Sequence, residues 1–510
     1  MSKQSNFFRL NTRPWVFWPP FLALIFAVLM SLFTPEVFST YVKRLQELIL
    51  MNFSLAFSWT SFFLVLILVV VLFSPLGKYR IGGPEAKPRL SKFSWFVIVL
   101  CTTIATGILF WGSAEPLFHF YNPPSFFNFK PTSSEAGDFA VGALSFHWGF
   151  TVYAVYVVPS LVFGLMLYAR KPKYTLQILL RPVLGNHGGE KWAGILDSIC
   201  LFALAAGMSA SLGAGIMSLS GGLQSFFPSW NDSVARAIIT VVILITFLIS
   251  SSTGIDKGIK NLSKANFYFF VVLITLFVGL GPGLSVLTMI GNSLGQFASN
   301  FLDLSLQLSG AGDQWTFDYT TFNLAVWIAW APITALFLGK IALGRTVREF
   351  IIFNWILPSI FCLIWMAILG GTTIEYAFLS PETYKNILEI QGPESVVYEI
   401  FKEMGYFSFF SILFIMGMYI SFVTAADSST EALASISMKK SGKDTFNADI
   451  NLKVLWGSLI AGLAWIMITF AGLDGVRMLS VIGGAPAFFI LLLSALSLVL
   501  LMLNPKKYLP

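Results

Sequence analysis

The sequence predicts an all-α integral membrane protein with twelve transmembrane helices. Three observations carry that expectation: scarce charge, repeated long apolar runs, and one-sided placement of the basic residues. Of 510 residues, 56% are apolar, 16% aromatic and only 11% charged. A soluble domain carries about 25% charged residues, so this chain cannot clothe itself against water and takes the bilayer as its main solvent.

Apolar stretches of the length that crosses a hydrocarbon core occur near residues 15–34, 53–75, 92–112, 139–168, 193–219, 236–253, 267–290, 321–343, 350–372, 406–436, 453–473 and 480–503. The first run, from Trp15, has no small-residue cleavage site after it and reads as a span rather than a leader. An even number of spans puts both termini on one side. Of the 32 Lys and Arg, 25 fall in the termini and the even-numbered connections, including Lys78, Arg80, Lys87, Arg89, Lys260 and Lys264. The odd-numbered connections hold the other seven, together with acids such as Glu375, Glu382, Glu389, Glu394, Glu399 and Glu403. Basic loops stay in the cytoplasm, so the termini are expected there, in a multi-pass inner-membrane protein. This placement also accounts for the net charge of +7 through contact with anionic membrane lipids, without a nucleic-acid partner. No soluble domain is expected. The segment Gly291–Leu308 has amphipathic spacing (Leu294, Phe297, Phe301, Leu302) and is expected to lie along the outer membrane face.

Interrupted helices are where a membrane carrier frees backbone groups for a ligand. The third span contains Ala105-Thr106-Gly107, and the eighth contains Ala331-Pro332, whose proline cannot bond to the carbonyl of Ile328. These two expected breaks lie five spans apart. That spacing fits two inverted five-helix repeats within one polytopic domain over 1–510. Spans 3–7 (residues 92–290) form one repeat and spans 8–12 (residues 321–503) the other, behind two N-terminal helices at 15–75.

Aromatic residues gather at the same depth. Taken as one helix, the fourth span places Trp148, Tyr156 and Tyr153 at roughly 0°, 80° and 140° of the wheel. The eighth span carries Trp327 and Trp330 just before Pro332. A quaternary ammonium has no N–H to donate, so π-faces hold it, at about 0.5–2 kcal/mol per ring. Packing against neighbours or lining the headgroup belt is the plainer role for any single ring.

At these residues the chain resembles the betaine/carnitine/choline transporter family. The matching pieces are F-W-G-S-A-E-P (Phe110–Pro116), F-H-W-G (Phe146–Gly149) with Tyr153 and Tyr156, and S-L-G-A-G (Ser211–Gly215). Further matches are K-G-I-K-N-L-S-K-A-N (Lys257–Asn266), W-I-A-W-A-P (Trp327–Pro332), G-R-T-V-R-E-F (Gly344–Phe350) and T-A-A-D-S (Thr424–Ser428). The resemblance implies a LeuT-type core, alternating access and a homotrimer. It also implies an aromatic box for the ammonium head, onto which Trp148, Tyr156, Trp327 and Trp330 map. Phe118 stands where some members place a tyrosine near the substrate. Tyr153 replaces a tryptophan common in betaine carriers, and Val326 replaces the first of a tandem tryptophan pair. The expected substrates are glycine betaine, choline or carnitine, with another amine, sulfonium or amino acid as the alternative.

For the coupling ion, Na+ or H+, the resemblance is less complete. A family Thr-Ser pair in the tenth span reads Thr424-Ala425 here, and the two fifth-span threonines of the second sodium site read Leu204 and Met208. Thr424 with third-span carbonyls around Ala105, Thr106 and Gly107 remains as one weakened sodium site. The sodium-independent exchangers of the family carry an arginine and a methionine where Asn266 and Thr334 stand. Glu115, His147 and Asp427 are the proton candidates. The reading favours a cation-driven symporter over an exchanger. Lys340, Arg345 and Arg348 are expected at the cytoplasmic end of the eighth span, as an inner gate pairing with Asp427 or Glu431 or as ordinary basic loop residues.

An enzyme is not expected. His119, His147 and His187 are scattered, and no metal, cofactor or nucleophile motif occurs. A channel would favour a repeated filter loop or a continuous polar path, and neither is visible.

Overall fold

The computed structural model describes residues 12–104, 107–169, 175–185, 190–252, 260–439 and 448–509. Every element named among them is helical. In chain order the long helices are α1 (Pro14–Phe33), α2 (Pro35–Phe73), α3 (Lys92–Ile104), α4 (Gly107–Tyr121), α5 (Ser134–Trp148), α6 (Phe150–Leu167) and α7 (Glu190–Phe226). They continue with α8 (Asp232–Ser252), α9 (Lys260–Leu280), α10 (Leu284–Leu306), α11 (Phe322–Lys340), α12 (Val347–Leu379), α13 (Phe407–Ser437) and α14 (Ile450–Leu503).

Ten described helical stretches are long and apolar enough to cross a membrane, and the α3–α4 pair, bent by 49°, adds an eleventh. Helix α14 has 54 residues, about 81 Å at 1.5 Å per residue, against a hydrocarbon core of about 30 Å. It turns at Gly472, whose φ of 53° and ψ of −135° leave the helical region in a way that favours glycine. The expected eleventh and twelfth spans, near 453–473 and 480–503, both fall within this one helix.

Burial separates an inner group of helices from an outer one. In the most apolar windows of α5–α6 and of Thr316–Lys340, 94% of residues are buried. The corresponding share is 28% for α1, α8 and α9. Side chains such as Phe26, Phe33, Val70, Phe73, Ile249 and Leu284 remain exposed, as lipid-facing surface must. The fourth and eighth spans are therefore the enclosed pair; α11 packs along α6 and against α14, and α14 packs against α7.

Several expected boundaries shift. The seventh span ends at Leu280, and a separate helix, α10, takes up residues 284–306, so the amphipathic segment starts ahead of the expected Gly291. Gln307 ends α10 in the left-handed conformation, and its side chain bonds Ser54 and Ser58 of α2. Ser54 also bonds Thr321 at 2.6 Å, so a buried polar knot pins α10 to the start of the eighth span.

The expected interruption at Ala331-Pro332 is absent: α11 runs unbroken through Pro332. One missing N–H does not open a helix that neighbours enclose on all sides, and the Thr334 hydroxyl bonds the Ala331 and Trp330 carbonyls at 2.9 and 3.3 Å. The distortion lies earlier, where Thr316–Thr321 winds as a π-helix. The fourth span, in turn, is divided at Gly149. In the third span the break falls where expected, between Ile104 and Gly107; Ala105 and Thr106 lie outside the described residues.

The G-R-T-V-R-E-F stretch forms a clasp between spans. Thr346 and Glu349 make a reciprocal capping box at the start of α12. Arg348 donates to the Leu72 carbonyl, Arg345 to the Leu90 carbonyl at 2.5 Å, and Glu349 pairs with Lys92 at 2.9 Å.

In the connection after α12, Glu394 is buried beside Arg236, 3.7 Å away, and its Oε2 has no described partner. Burial raises the Glu394 pKa, outweighing the pull of Arg236. A carboxyl with a raised folded-state pKa contributes full stability below its unfolded pKa and loses it as pH climbs through the folded value. We expect Glu394→Gln to flatten the fall in thermal midpoint above the ordinary carboxylate range, read by thermal unfolding in detergent across pH.

Candidate functional site

Midway through the inner helices lies a partly open cavity. Its lining comes from seven helices: Thr102, Thr103 and Ile104 at the end of α3, Gly107 and Trp111 in α4, and Trp148 of α5 and Tyr156 of α6 on either side of the Gly149 break. Gly207, Ala210, Ser211 and Ala214 of α7, Phe322, Val326, Trp327 and Trp330 of α11, and Val476 and Ser480 of α14 complete it. No Asp, Glu, Lys or Arg is among these lining residues. The site offers π-faces and hydroxyls, with no fixed countercharge in its wall.

The rings form a connected wall. Trp327 meets Tyr156 at 4.6 Å between centroids, Tyr153 at 5.3 Å, and Trp148 at 5.7 Å nearly edge-on. Trp330, one turn further along α11, lines the cavity beside Gly207. Two sequence-predicted residues stand back from it. Tyr153 is fully buried behind Trp327, its hydroxyl 3.3 Å from Thr103 and 3.4 Å from Cys362. The helical wheel placed it on the same side as Trp148 because it assumed one continuous helix; the break at Gly149 removes that premise. Phe118 does not line the cavity either, and packs on Tyr319 at 6.1 Å.

Gly107 is the close approach that makes room for this wall. A Cβ there would sit 2.7 Å from Cη2 of Trp148. We expect Gly107→Val to drive the indole into the cavity and reduce substrate uptake at least about tenfold at unchanged expression, since a shift of about 1.4 kcal/mol already does so. Uptake kinetics in proteoliposomes check this.

Behind the rings is a buried polar network that sequence reasoning left unassembled. Glu115 Oε2 accepts from the Trp148 indole N–H at 2.8 Å, and Oε1 lies 2.5 Å from His147 Nδ1 and 3.4 Å from His119 Nε2. His147 Nε2 lies 3.0 Å from the Thr320 hydroxyl, in the π-helical turn. With Glu115 ionised, Nδ1–H donates to it and Nε2 accepts from Thr320, which fixes the imidazole tautomer. Glu115 therefore orients one wall of the cavity from outside it. The i,i+4 spacing of Glu115 and His119 and the adjacency of His147 to Trp148 were the signals available in the sequence.

Glu115, His119 and His147 also offer three ligand atoms within 4.8 Å of one another. Two ligands of a tetrahedral ion with bonds of about 2.0 Å sit about 3.3 Å apart, so the 2.5 Å Glu115–His147 contact is a hydrogen bond closed on itself.

The remaining predicted residues are placed as follows. Thr424 is buried and bonds the Ile420 carbonyl of its own helix at 2.8 Å, away from the cavity lining. Thr334 is likewise engaged with its own helix. Of the gate candidates, Arg345 stacks on Trp95 at 4.8 Å and bonds the Leu90 carbonyl, which makes it part of the clasp. Glu431 pairs with Lys453 at 2.5 Å, and Lys340 and Asp427 are both buried. The Ser428 side chain lies outside the described residues.

A family model described as BCCT, betaine/carnitine/choline family transporter, matches residues 15–507. The chain belongs to this family. It is a membrane transporter and not an enzyme. Among curated relatives of these transporters, the ectoine/hydroxyectoine transporter of Virgibacillus pantothenticus is 30% identical over 497 residues, covering 96% of this chain and 97% of that one. The glycine betaine transporter OpuD of Bacillus subtilis is 26% identical, covering 95% and 93%. A glycine betaine/proline/choline/ectoine transporter of Vibrio parahaemolyticus is 26% identical, covering 94% and 85%. Family membership agrees with the all-helical, many-span architecture and with a cavity between enclosed helices.

Proposed function

We propose that this protein is a secondary active carrier that takes up a small organic cation or zwitterion, with a quaternary ammonium such as that of glycine betaine held by Trp148, Tyr156, Trp327 and Trp330. One observation carries the reading: four large aromatic side chains line one cavity between the inner helices, and no Asp, Glu, Lys or Arg is among its lining residues. A compact cation without N–H donors gains from π-faces at that site, whereas a primary amine would leave its three donors short of acceptors. The names of the similar glycine betaine transporters support the same chemistry.

The carrier works by alternating access, driven by a cation gradient of Na+ or H+, with twelve crossings built as two inverted repeats. Both termini lie in the cytoplasm of the inner membrane, and the protein assembles as a homotrimer among membrane lipids. The distribution of basic residues supports the orientation, and the two arms of α14 support the crossing number. A second reading is favoured by a specific similarity: the relative at 30% identity is named for ectoine, whose delocalised cation also stacks on rings.

Uptake into proteoliposomes, with Na+ and H+ gradients imposed separately on glycine betaine, choline, carnitine and ectoine, tests the proposal. Saturable, gradient-dependent and mutually competing uptake is expected. Flux that rises without saturation would mark a channel and overturn it.

A further inference from the structure

At one end of the cavity stands a cation that the aromatic account does not use. Arg477 belongs to the second arm of α14, and its helix neighbours Val476 and Ser480 both line the cavity. Its guanidinium carbon lies 5.4 Å from the ring centre of Phe322, itself a lining residue, and 5.8 Å from that of Phe118. The side chain is half-buried, and its Nε–H is buried with no partner among the described residues. No described carboxylate pairs with it, Asp474 one turn away included. A guanidinium held between two rings, with a donor left open, is short of an oxygen acceptor.

Its place in the chain says which side it faces. Arg477 falls in the connection between the eleventh and twelfth spans, so it is one of only seven basic residues on the side read as external. Phe118, Tyr319 and Phe322 gather at the same end, beyond the third span and at the start of the eighth. Phe322 precedes Trp327 by five residues, about 7.5 Å along the helix. Arg477 therefore stands one short step outward of the ammonium-holding rings.

We propose that Arg477 is a carboxylate-recognition residue at the outer mouth of the cavity, selecting zwitterionic substrates over cationic ones. The planar guanidinium fork matches a carboxylate, while its charge repels a lone cation such as choline. This rests on the cavity being the substrate site but not on the ammonium being quaternary. Phe118 and Phe322 are then the shelf that presents the guanidinium.

The test compares the unsubstituted protein with Arg477→Gln and Arg477→Lys in detergent, measuring ligand-induced shifts in thermal midpoint. The ligands are glycine betaine, carnitine, ectoine and choline, and uptake KM is measured for each ligand that is transported. The expected result is a KM rise of at least tenfold for the carboxylated ligands in Arg477→Gln, partial retention in Arg477→Lys, and unchanged or tighter choline. Equal losses for choline and glycine betaine would identify a gate or a packing role and overturn the inference, as would no change for any ligand. If ectoine stabilises the protein in an Arg477-dependent way while trimethylammonium compounds do not, the quaternary-ammonium reading fails and this inference stands. If trimethylammonium ligands bind with no dependence on Arg477, the converse holds, and if no ligand binds, both fall.

Discussion

Trp327→Ala is expected to raise the apparent KM for a trimethylammonium substrate at least about tenfold. Trp327 is the ring that meets both Tyr156, at 4.6 Å, and Trp148, at 5.7 Å. Its loss removes one cation–π face of about 2 kcal/mol in a desolvated site and loosens the two rings it contacts. At about 1.4 kcal/mol per factor of ten, that is a ten- to thirtyfold effect. Truncating a buried tryptophan also costs about 3–5 kcal/mol of packing, so expression and thermal midpoint are measured beside uptake. Trp327→Phe separates the two effects: it keeps most of the volume and a weaker π-face, and an intermediate KM is expected. Trp330→Ala is expected to act in the same direction. Unchanged affinity in both alanine variants would remove the aromatic cavity from the account.

Glu115→Ala is expected to damage both stability and binding. The carboxylate accepts from the Trp148 indole and the His147 imidazole in a site that is 5% exposed. Removing one partner of a buried charge-assisted pair costs about 3–5 kcal/mol, because the donors left behind have neither water nor acceptor. The thermal midpoint should fall by several degrees, and the freed indole should weaken substrate affinity by roughly the factor assigned to one ring. Glu115→Gln keeps the size and one acceptor, so it should retain more stability than the alanine. A Glu115→Ala protein with unaltered midpoint and unaltered KM would show that Trp148 needs no tether.

The architecture was legible in the sequence where it depends on the bilayer. Long apolar runs are forced by hydrocarbon, which requires no tertiary knowledge. The convergence of Trp148, Tyr156, Trp327 and Trp330 on one cavity was anticipated from ring chemistry and from the family resemblance. What escaped was local backbone geometry. A proline is a visible break signal, yet Pro332 sits in an intact helix because enclosure holds it there, while Gly149 divides the fourth span with a far weaker signal. That division is why Tyr153 was expected on the cavity wall and is found behind it. The Glu115–His147–Trp148 network was hidden because its members lie 32 and 33 positions apart, and only the packing of α4 on α5 joins them. Arg345 and Arg348 read from their sign and place as either gate charges or ordinary basic loop residues, and what they reach is backbone carbonyl oxygen.

The measurement that bears most directly on this account is a structure of the protein with arsenobetaine, in which a trimethylarsonium replaces the trimethylammonium and supplies an anomalous signal. A single arsenic peak among the faces of Trp148, Tyr156, Trp327 and Trp330, lost in Trp327→Ala, is the predicted result. A peak elsewhere, with the rings closed on one another and the cavity empty, would contradict it.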